Sequence, residues 1–311
     1  MTSVHFLLYE GFSNMVLSCL LEPLRAVRDL GQAEIEWRVL SASDAPVRSS
    51  SGLSISPDLP MRDSGACDLL VVVSGYGYHE RGTGREGTRL RQLAQRAQRL
   101  LGADMGAWIL AEAGLLEGAR VTLHWAAVAE FAEAFPTVPL SYERYVKEGR
   151  VWSCGGASTA LDLILAFIAD RFGPANAFLA STLFLQDAQR PQQQENAPVR
   201  LAGKGSAKLR RCVTLMAETL ETPLPLARLA ELVGLTTRTL DRLFKTELGL
   251  PPGRYYQQLR LLQARDLAAN TEYDLSDIAL RCGYSDAPAL CKAFRRAYGH
   301  SIRKSRGARP H

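Results

Sequence analysis

Two patterns of apolar residues divide this chain. Up to about residue 185, short continuous apolar runs alternate with stretches of helical spacing. Val4-His5-Phe6-Leu7-Leu8-Tyr9 reads as a buried strand, followed by a helix through Val16–Leu21. Trp37-Arg38-Val39-Leu40 and Leu69-Leu70-Val71-Val72-Val73 are further strands. The second is apolar at every position, as expected of a central strand covered on both faces. A helix is expected over roughly Gly87–Leu101, and a strand–helix pair around Asp104 leads into Met105–Leu110. Strands are expected at Ala119–His124 and Arg150–Ser153, and a long helix from about Ser158 to Phe172. Strands alternating with helices predict an α/β doubly wound, mostly parallel sheet.

Residues 189–207 break the pattern. The stretch Gln189–Gly205 holds four glutamines, two prolines and two glycines, too little apolar surface to order itself, and reads as a linker. The chain thus parses into a domain over 1–188, a linker over 189–207 and a second domain over 208–311. In the second domain the pattern is helical throughout and repeats. Leu226, Leu229, Ala230 and Val233 make one helix face; Leu275, Ile278, Ala279 and Cys282 repeat it 49 positions later. Gly234-Leu235-Thr236 and Gly283-Tyr284-Ser285 follow as turns. Leu240, Leu243, Phe244 and Leu248 then recur as Leu290, Ala293, Phe294 and Tyr298, 50 positions on, and Gly249 and Gly299 close the two copies. Helix, glycine turn and second helix, twice over, predict an all-α domain of tandem helix-turn-helix units. A helix bearing Tyr255, Leu259 and Leu262 would join them.

Charge sharpens the division. The net +5 of the whole chain conceals 17 Lys/Arg against 22 Asp/Glu before residue 200, and 20 against 10 from there on. An acidic part joined to a basic one is the electrostatic footprint of a nucleic-acid binder with a separate regulatory part. The six cysteines never form a C-x-x-C pair, which argues against a zinc site or a disulfide framework and fits a reducing cytoplasm. No apolar run approaches the roughly 20 residues of a membrane span, and the first residues lack the features of a secretory signal.

In a helix-turn-helix the second helix presents its N-terminal residues to base edges in the major groove. Thr236 and Ser285 are the expected N-caps. The first unit exposes Thr237, Arg238, Thr239, Asp241, Arg242 and Lys245; the second exposes Asp286, Ala287, Ala289, Lys292, Arg295 and Arg296. Arg238 and Arg242 suit bidentate pairing with guanine, and Lys245 suits a phosphate. The small tip of the second unit leaves base specificity mainly to the first. The tail, with Arg303, Lys304, Arg306 and Arg309, would add phosphate affinity. A merely solvated basic face would account for one helix; two copies in register favour DNA. Residues 229–244 and 277–285, with Ala293-Phe294-Arg295-Arg296, resemble the AraC/XylS-type DNA-binding domain. The chain departs from that family at Ile302, where a proline is usual.

In the first domain, residues 9–13, Glu22-Pro23-Leu24-Arg25, residues 46–52 and 106–116, and His124-Trp125 resemble the PfpI-like, class I glutamine-amidotransferase-like domain of GlxA-type regulators. The resemblance implies a flavodoxin-like α/β fold. Residues 22–25 and Ser153-Cys154-Gly155-Gly156 look most like the branch sensing arginine, glycine betaine or carnitine. Enzymes of this superfamily place a cysteine on the tight strand-to-helix turn beside a histidine and an acid. Here that turn carries Asp104, Val16 stands near the place of the acid, and His124 is left without a nucleophile. The resemblance therefore implies a binding pocket without catalysis, drawn from Asn14, Glu22, Gly75, Tyr76, Asp104, Met105, His124, Trp125 and Cys154. Asp104 could counter a cation and Tyr76 or Trp125 face a quaternary ammonium, though Asp104 as a simple N-cap and Trp125 as core are the plainer alternatives. No catalytic residue, metal ligand or cofactor is expected. The expected partners are double-stranded promoter DNA, a small amino acid, betaine or carnitine-like effector, RNA polymerase and a second copy of the chain, in a cytoplasmic protein with no membrane contact. A hydrolase or isomerase with an attached DNA-binding domain, and a DNA-packaging protein, are the competing readings.

Overall fold

The computed structural model describes residues 1–29, 33–185 and 206–303. Most of the expected linker and the basic residues Lys304, Arg306 and Arg309 lie outside the described residues. The chain forms two compact units, one of residues 1–28 and 33–167 and one of residues 29–32 and 168–311.

In the first unit β1 (Thr2–Leu8) is followed by α1 (Asn14–Asp29), β2 (Ile35–Ser41), the short hairpin β3 (Val47–Arg48) and β4 (Ser54–Ile55), and β5 (Leu59–Pro60). Then come β6 (Cys67–Ser74), α2 (Gly84–Gln95), β7 (Ala97–Asp104), α3 (Gly106–Glu112), α4 (Val128–Ala134), β8 (Tyr145–Glu148), β9 (Val151–Cys154) and α5 (Ala157–Phe172). Seven strands make one sheet in the order β5-β2-β1-β6-β7-β9-β8. Every pairing is parallel except β8 with β9. Pro60 sits on the edge strand, where its missing N–H breaks no inner ladder. Phe6, Leu7 and Leu8, and Leu69 through Val73, are at most 1% exposed, so both faces of the central strands are covered. Leu7, Leu70, Val72 and Leu100 on one face share a core with Leu90, Leu93, Trp108 and Ile109 of α2 and α3.

The expected helix over Gly87–Leu101 is corrected. It ends at Gln95 and β7 begins at Ala97, because Leu100, Leu101 and Ala103 are needed in the middle of the sheet, where tertiary burial overrides helical spacing. Residues 119–124 are not a sheet strand either; they contribute one isolated bridge, Val121 with Leu140. The antiparallel β8 went unread because its sequence, Tyr-Val-Lys-Glu, is half polar at an exposed edge.

The second unit contains α6 (Pro174–Leu185), α7 (Ala207–Glu218), α8 (Leu226–Leu232), α9 (Thr237–Leu248), α10 (Pro252–Asn270), α11 (Leu275–Arg281) and α12 (Ala287–Tyr298). Ala175 and Leu179 of α6 pack with Leu209, Met216, Leu229, Leu240, Phe244 and Tyr255 in a first core. Ile278, Ala279, Leu290, Phe294 and Ile302 form a second with Leu261, Ala264 and Ala268. Ile302, the departure from the family pattern, is fully buried there. The unit boundary falls inside α5 rather than at residue 188. Polarity locates a linker, but it does not reveal with which core the preceding apolar helix packs.

Candidate functional site

The turn between β7 and α3 is built by close packing. Gly102 and Gly106 let α3 approach the sheet: a Cβ on Gly106 would lie 2.0 Å from the Val72 carbonyl oxygen, and one on Gly102 2.7 Å from the Ala107 nitrogen. Between them Asp104 has φ +59°, a left-handed conformation that Asp tolerates better than most residues. Asp104 does not cap α3. The N-cap position is Met105, without a side-chain hydrogen bond. Asp104 instead lines a cavity of about 330 Å³, together with Gly11, Ser13, Gly75, Tyr76, Tyr78 and His124. Asp104 is 9% exposed and makes no ion pair among the described residues. Burial alone pushes its carboxyl up to about 7. Ser74, its register partner on β6, is fully buried and its hydroxyl has no partner among the described residues.

The walls are held by defined contacts. The Gly11 carbonyl accepts from Tyr76 N–H at 3.1 Å, and a Cβ on Gly75 would lie 2.4 Å from that carbonyl oxygen. Glu112 accepts from the Glu80 and Gly82 amides at 2.7 Å each and from the Trp108 indole at 3.0 Å. The Tyr78 hydroxyl donates to Glu130 at 2.9 Å. His124 N–H donates to the Asp104 carbonyl, and its Nδ1 accepts from Ala126, which holds the imidazole at the rim.

Of the expected pocket residues, Gly75, Tyr76, Asp104, Met105 and His124 line the cavity. Asn14 is turned to Ser49 and Ser51, Glu22 pairs with Arg25 at 2.6 Å, and Trp125 is 82% exposed against the His124 ring rather than in any core. Cys154 is fully buried beside the Asp104 backbone, and burial raises its thiol far above the range of a reactive thiolate. Gly11, Ser13, Ser50, Tyr78, Ala126 and Ala127 were missed. Ser13 and Ser50 lie in the segments that carry the resemblance, whereas nothing local marks Tyr78. No group of three or more His, Cys, Asp or Glu among the described residues is placed to hold a metal ion.

In the second unit, Thr236 caps α9 through a hydrogen bond from Thr239 N–H. The expected cap of α12 is corrected: Asp286, not Ser285, accepts from Ala289 N–H at 2.7 Å. This explains why the repeat spacing changes from 49 to 50. The second turn is one residue longer, and α12 starts one residue later with Pro288 in its first turn. In the resulting register Pro288 stands opposite Arg238, Ala289 opposite Thr239 and Lys292 opposite Arg242. Thr237, Arg238 and Arg242 are exposed on α9, and both arginines are free of ion pairs among the described residues. Lys245 pairs with Asp241 of its own helix at 2.8 Å. Ala287 and Ala289 are partly covered, and Lys292, Arg295 and Arg296 are exposed on α12.

Comparison with known proteins agrees with this division. Residues 2–170 match the DJ-1/PfpI family and residues 229–308 match a helix-turn-helix domain. The chain is 32% identical to the HTH-type transcriptional regulator GbdR of Pseudomonas aeruginosa, covering 99% of this chain and 85% of that protein. It is 31% identical to the HTH-type transcriptional regulator GlxA of Rhizobium meliloti, covering 98% and 96%. A crystal structure of an AraC family transcriptional regulator from Pseudomonas putida shares the fold of 59% of this chain at 23% identity, with a TM-score of 0.52 and its whole length covered. No described helix is long and apolar enough to cross a membrane. The chain belongs to the GlxA-type transcriptional regulators, which join a DJ-1/PfpI domain to an AraC-type helix-turn-helix domain.

Proposed function

We propose that this protein is a cytoplasmic metabolite sensor that controls transcription and has no enzymatic activity. A small nitrogenous effector, an amino acid or a quaternary amine, occupies the cavity at Asp104, and the tandem helix-turn-helix units engage promoter DNA. The observation that carries the reading is the Asp104 carboxylate. It stands at the turn where enzymes of the superfamily hold a nucleophile, nine-tenths buried, without a cation among the described residues, and lining a cavity of about 330 Å³. A carboxylate is a poor substitute for a thiolate in attacking a carbonyl, whereas a buried one is completed by a ligand bearing positive charge. The Tyr76 and Tyr78 rings at the wall suit a quaternary ammonium. On the DNA side, α9 supplies base contacts through Arg238 and Arg242, and α12, with small residues at its tip, supplies mainly phosphate contacts. Activation through RNA polymerase, and dimerisation, follow from the AraC-type resemblance.

The test is a thermal-shift screen of the full chain against amino acids, betaines, carnitine and polyamines. A true effector at a hundredfold excess over its dissociation constant adds about 2.7 kcal/mol of stability. The reading requires that the hit carry a cationic nitrogen and that Asp104→Asn weaken it at least tenfold. Hits confined to anions, or turnover of simple esters lost on His124→Ala, would overturn it, the latter in favour of the hydrolase.

A further inference from the structure

The helix between the two helix-turn-helix units serves both cores. Tyr255, Tyr256 and Leu259 of α10 belong to the first core, and Leu261, Ala264 and Ala268 to the second. Two polar groups four residues apart on α10, and so on one face, reach in different directions. The Tyr256 hydroxyl grips the loop between α7 and α8. It lies 2.6 Å from the Thr219 hydroxyl, donates to the Thr219 carbonyl at 3.0 Å and accepts from Leu224 N–H at 3.2 Å. Arg260 grips the turn of the second unit. Its Nε donates to the Cys282 carbonyl at 2.7 Å and its Nη2 to the Gly283 carbonyl at 2.6 Å, with the guanidinium 4.1 Å from the centre of the Tyr284 ring. The Cys282 carbonyl belongs to the C-cap of α11 and the Gly283 carbonyl to the turn that follows it, beyond the reach of helical N–H donors.

The loop and the turn touch each other. Gly283 has φ +70°, and a Cβ there would lie 2.4 Å from Pro223 Cγ and 2.6 Å from the Leu220 carbonyl oxygen. At Gly234, the matching position of the first unit, a Cβ would meet nothing within 4 Å. So the second turn is wedged between α10 and the first unit, while the first turn is open.

We propose that Tyr256 and Arg260 clamp the turn of the second helix-turn-helix unit onto the α7–α8 loop of the first, setting the phase between α9 and α12, and that Arg260 is thereby a positioning residue for two-groove DNA binding. This rests on the reading of both units as DNA-engaging. Joining two weak contacts rigidly raises affinity by orders of magnitude only when their spacing matches the sites, here about 10 base pairs apart. A loosened joint sacrifices both the gain and the sensitivity to spacing.

The experiment uses the full chain and duplexes that it selects from a random-sequence pool, footprinted to locate two halves. Three probes are compared: the selected duplex, the same duplex with one or two base pairs inserted between the halves, and a duplex carrying only the half bound by the first unit. Wild type should lose at least tenfold on insertion. Arg260→Gln should bind the first two probes alike, at least tenfold below wild type on the selected duplex, and keep wild-type affinity for the single half. Arg260→Lys, with one of the two hydrogen bonds, should fall between. Pro223→Ala, which removes the loop side of the contact and no hydrogen bond, should relax the spacing preference in the same direction. Arg260→Gln with the wild-type spacing preference overturns the clamp and leaves two-groove binding intact. An equal loss on the single half overturns it by assigning Arg260 to the fold of the whole unit. A wild type indifferent to the second half overturns it together with the two-groove reading.

Discussion

Asp104 combines a left-handed backbone with a buried carboxyl that has no ion pair among the described residues. Its carboxyl is held near 7 by burial, against about 4 in an unfolded chain. Below pH 4 it is protonated in both states and has no effect on stability. Between pH 4 and 7 the folded state keeps a proton that the unfolded state releases, so stability falls as pH rises. Above 7 the loss is complete, on the order of 4 kcal/mol. Asp104→Asn, which tolerates the same backbone, should therefore melt with wild type at pH 4 and well above it at pH 8. Parallel melting curves at both pH values would place the carboxylate in water. Because a cationic effector selects the ionised form, its affinity should rise with pH through about 7. On α9, Arg238→Ala and Arg242→Ala should each weaken binding to a selected duplex by ~1–3 kcal/mol and relax the base preference at one position. Equal losses on selected and random DNA would make them phosphate contacts. The chemistry of these positions was readable from residue type. The unpaired state of Asp104 was not, since pairing depends on neighbours distant in sequence.

At the scale of elements, the two recognition helices are the same object with different tips. Asp286→Ala should cost about 1 kcal/mol through the lost cap of α12, whereas Ser285→Ala, one residue outside, should leave the melting temperature almost unchanged. The reverse order would restore the cap expected from the glycine turn. The shift by one residue escaped the repeat pattern because apolar faces fix a helix only to within its periodicity, and the cap is decided by which side chain reaches the free amides. The same limit set the end of α2, where helical spacing ran on into Leu100 and Leu101. Gly106→Ala offers a test of the turn between β7 and α3. With 2.0 Å to the Val72 carbonyl oxygen, overpacking should destabilise the first unit by roughly 1–3 kcal/mol and reduce effector response even where folding persists. Unchanged stability would show that α3 can slide.

For the whole molecule, the separation of charge assigns different salt dependences to the two activities. If the basic unit neutralises 6–10 phosphates, DNA affinity should fall roughly 10³- to 10⁵-fold between 50 and 200 mM salt. Effector affinity, under the proposal that the buried Asp104 carboxylate sets it, should change little over that range. A steep salt effect on effector binding would move the ligand from the cavity to the surface.

Apolar periodicity, glycine turns and the run of charge are local properties. They determined by themselves a parallel α/β part, a duplicated helix-turn-helix part and the residue types on the exposed faces of α9 and α12. Residue identity, set beside the PfpI-like resemblance, likewise showed that the turn before α3 holds a carboxylate where the resemblance implies a thiol in enzymes. Tertiary structure alone decided that Asn14 and Glu22 turn to Ser49, Ser51 and Arg25 while Tyr78 turns to the cavity, and that α6 joins the helical core. It also decided that Arg260 meets the turn 22 residues further on. These choices depend on which surfaces compete for one buried space, and no short window of sequence contains the competitors.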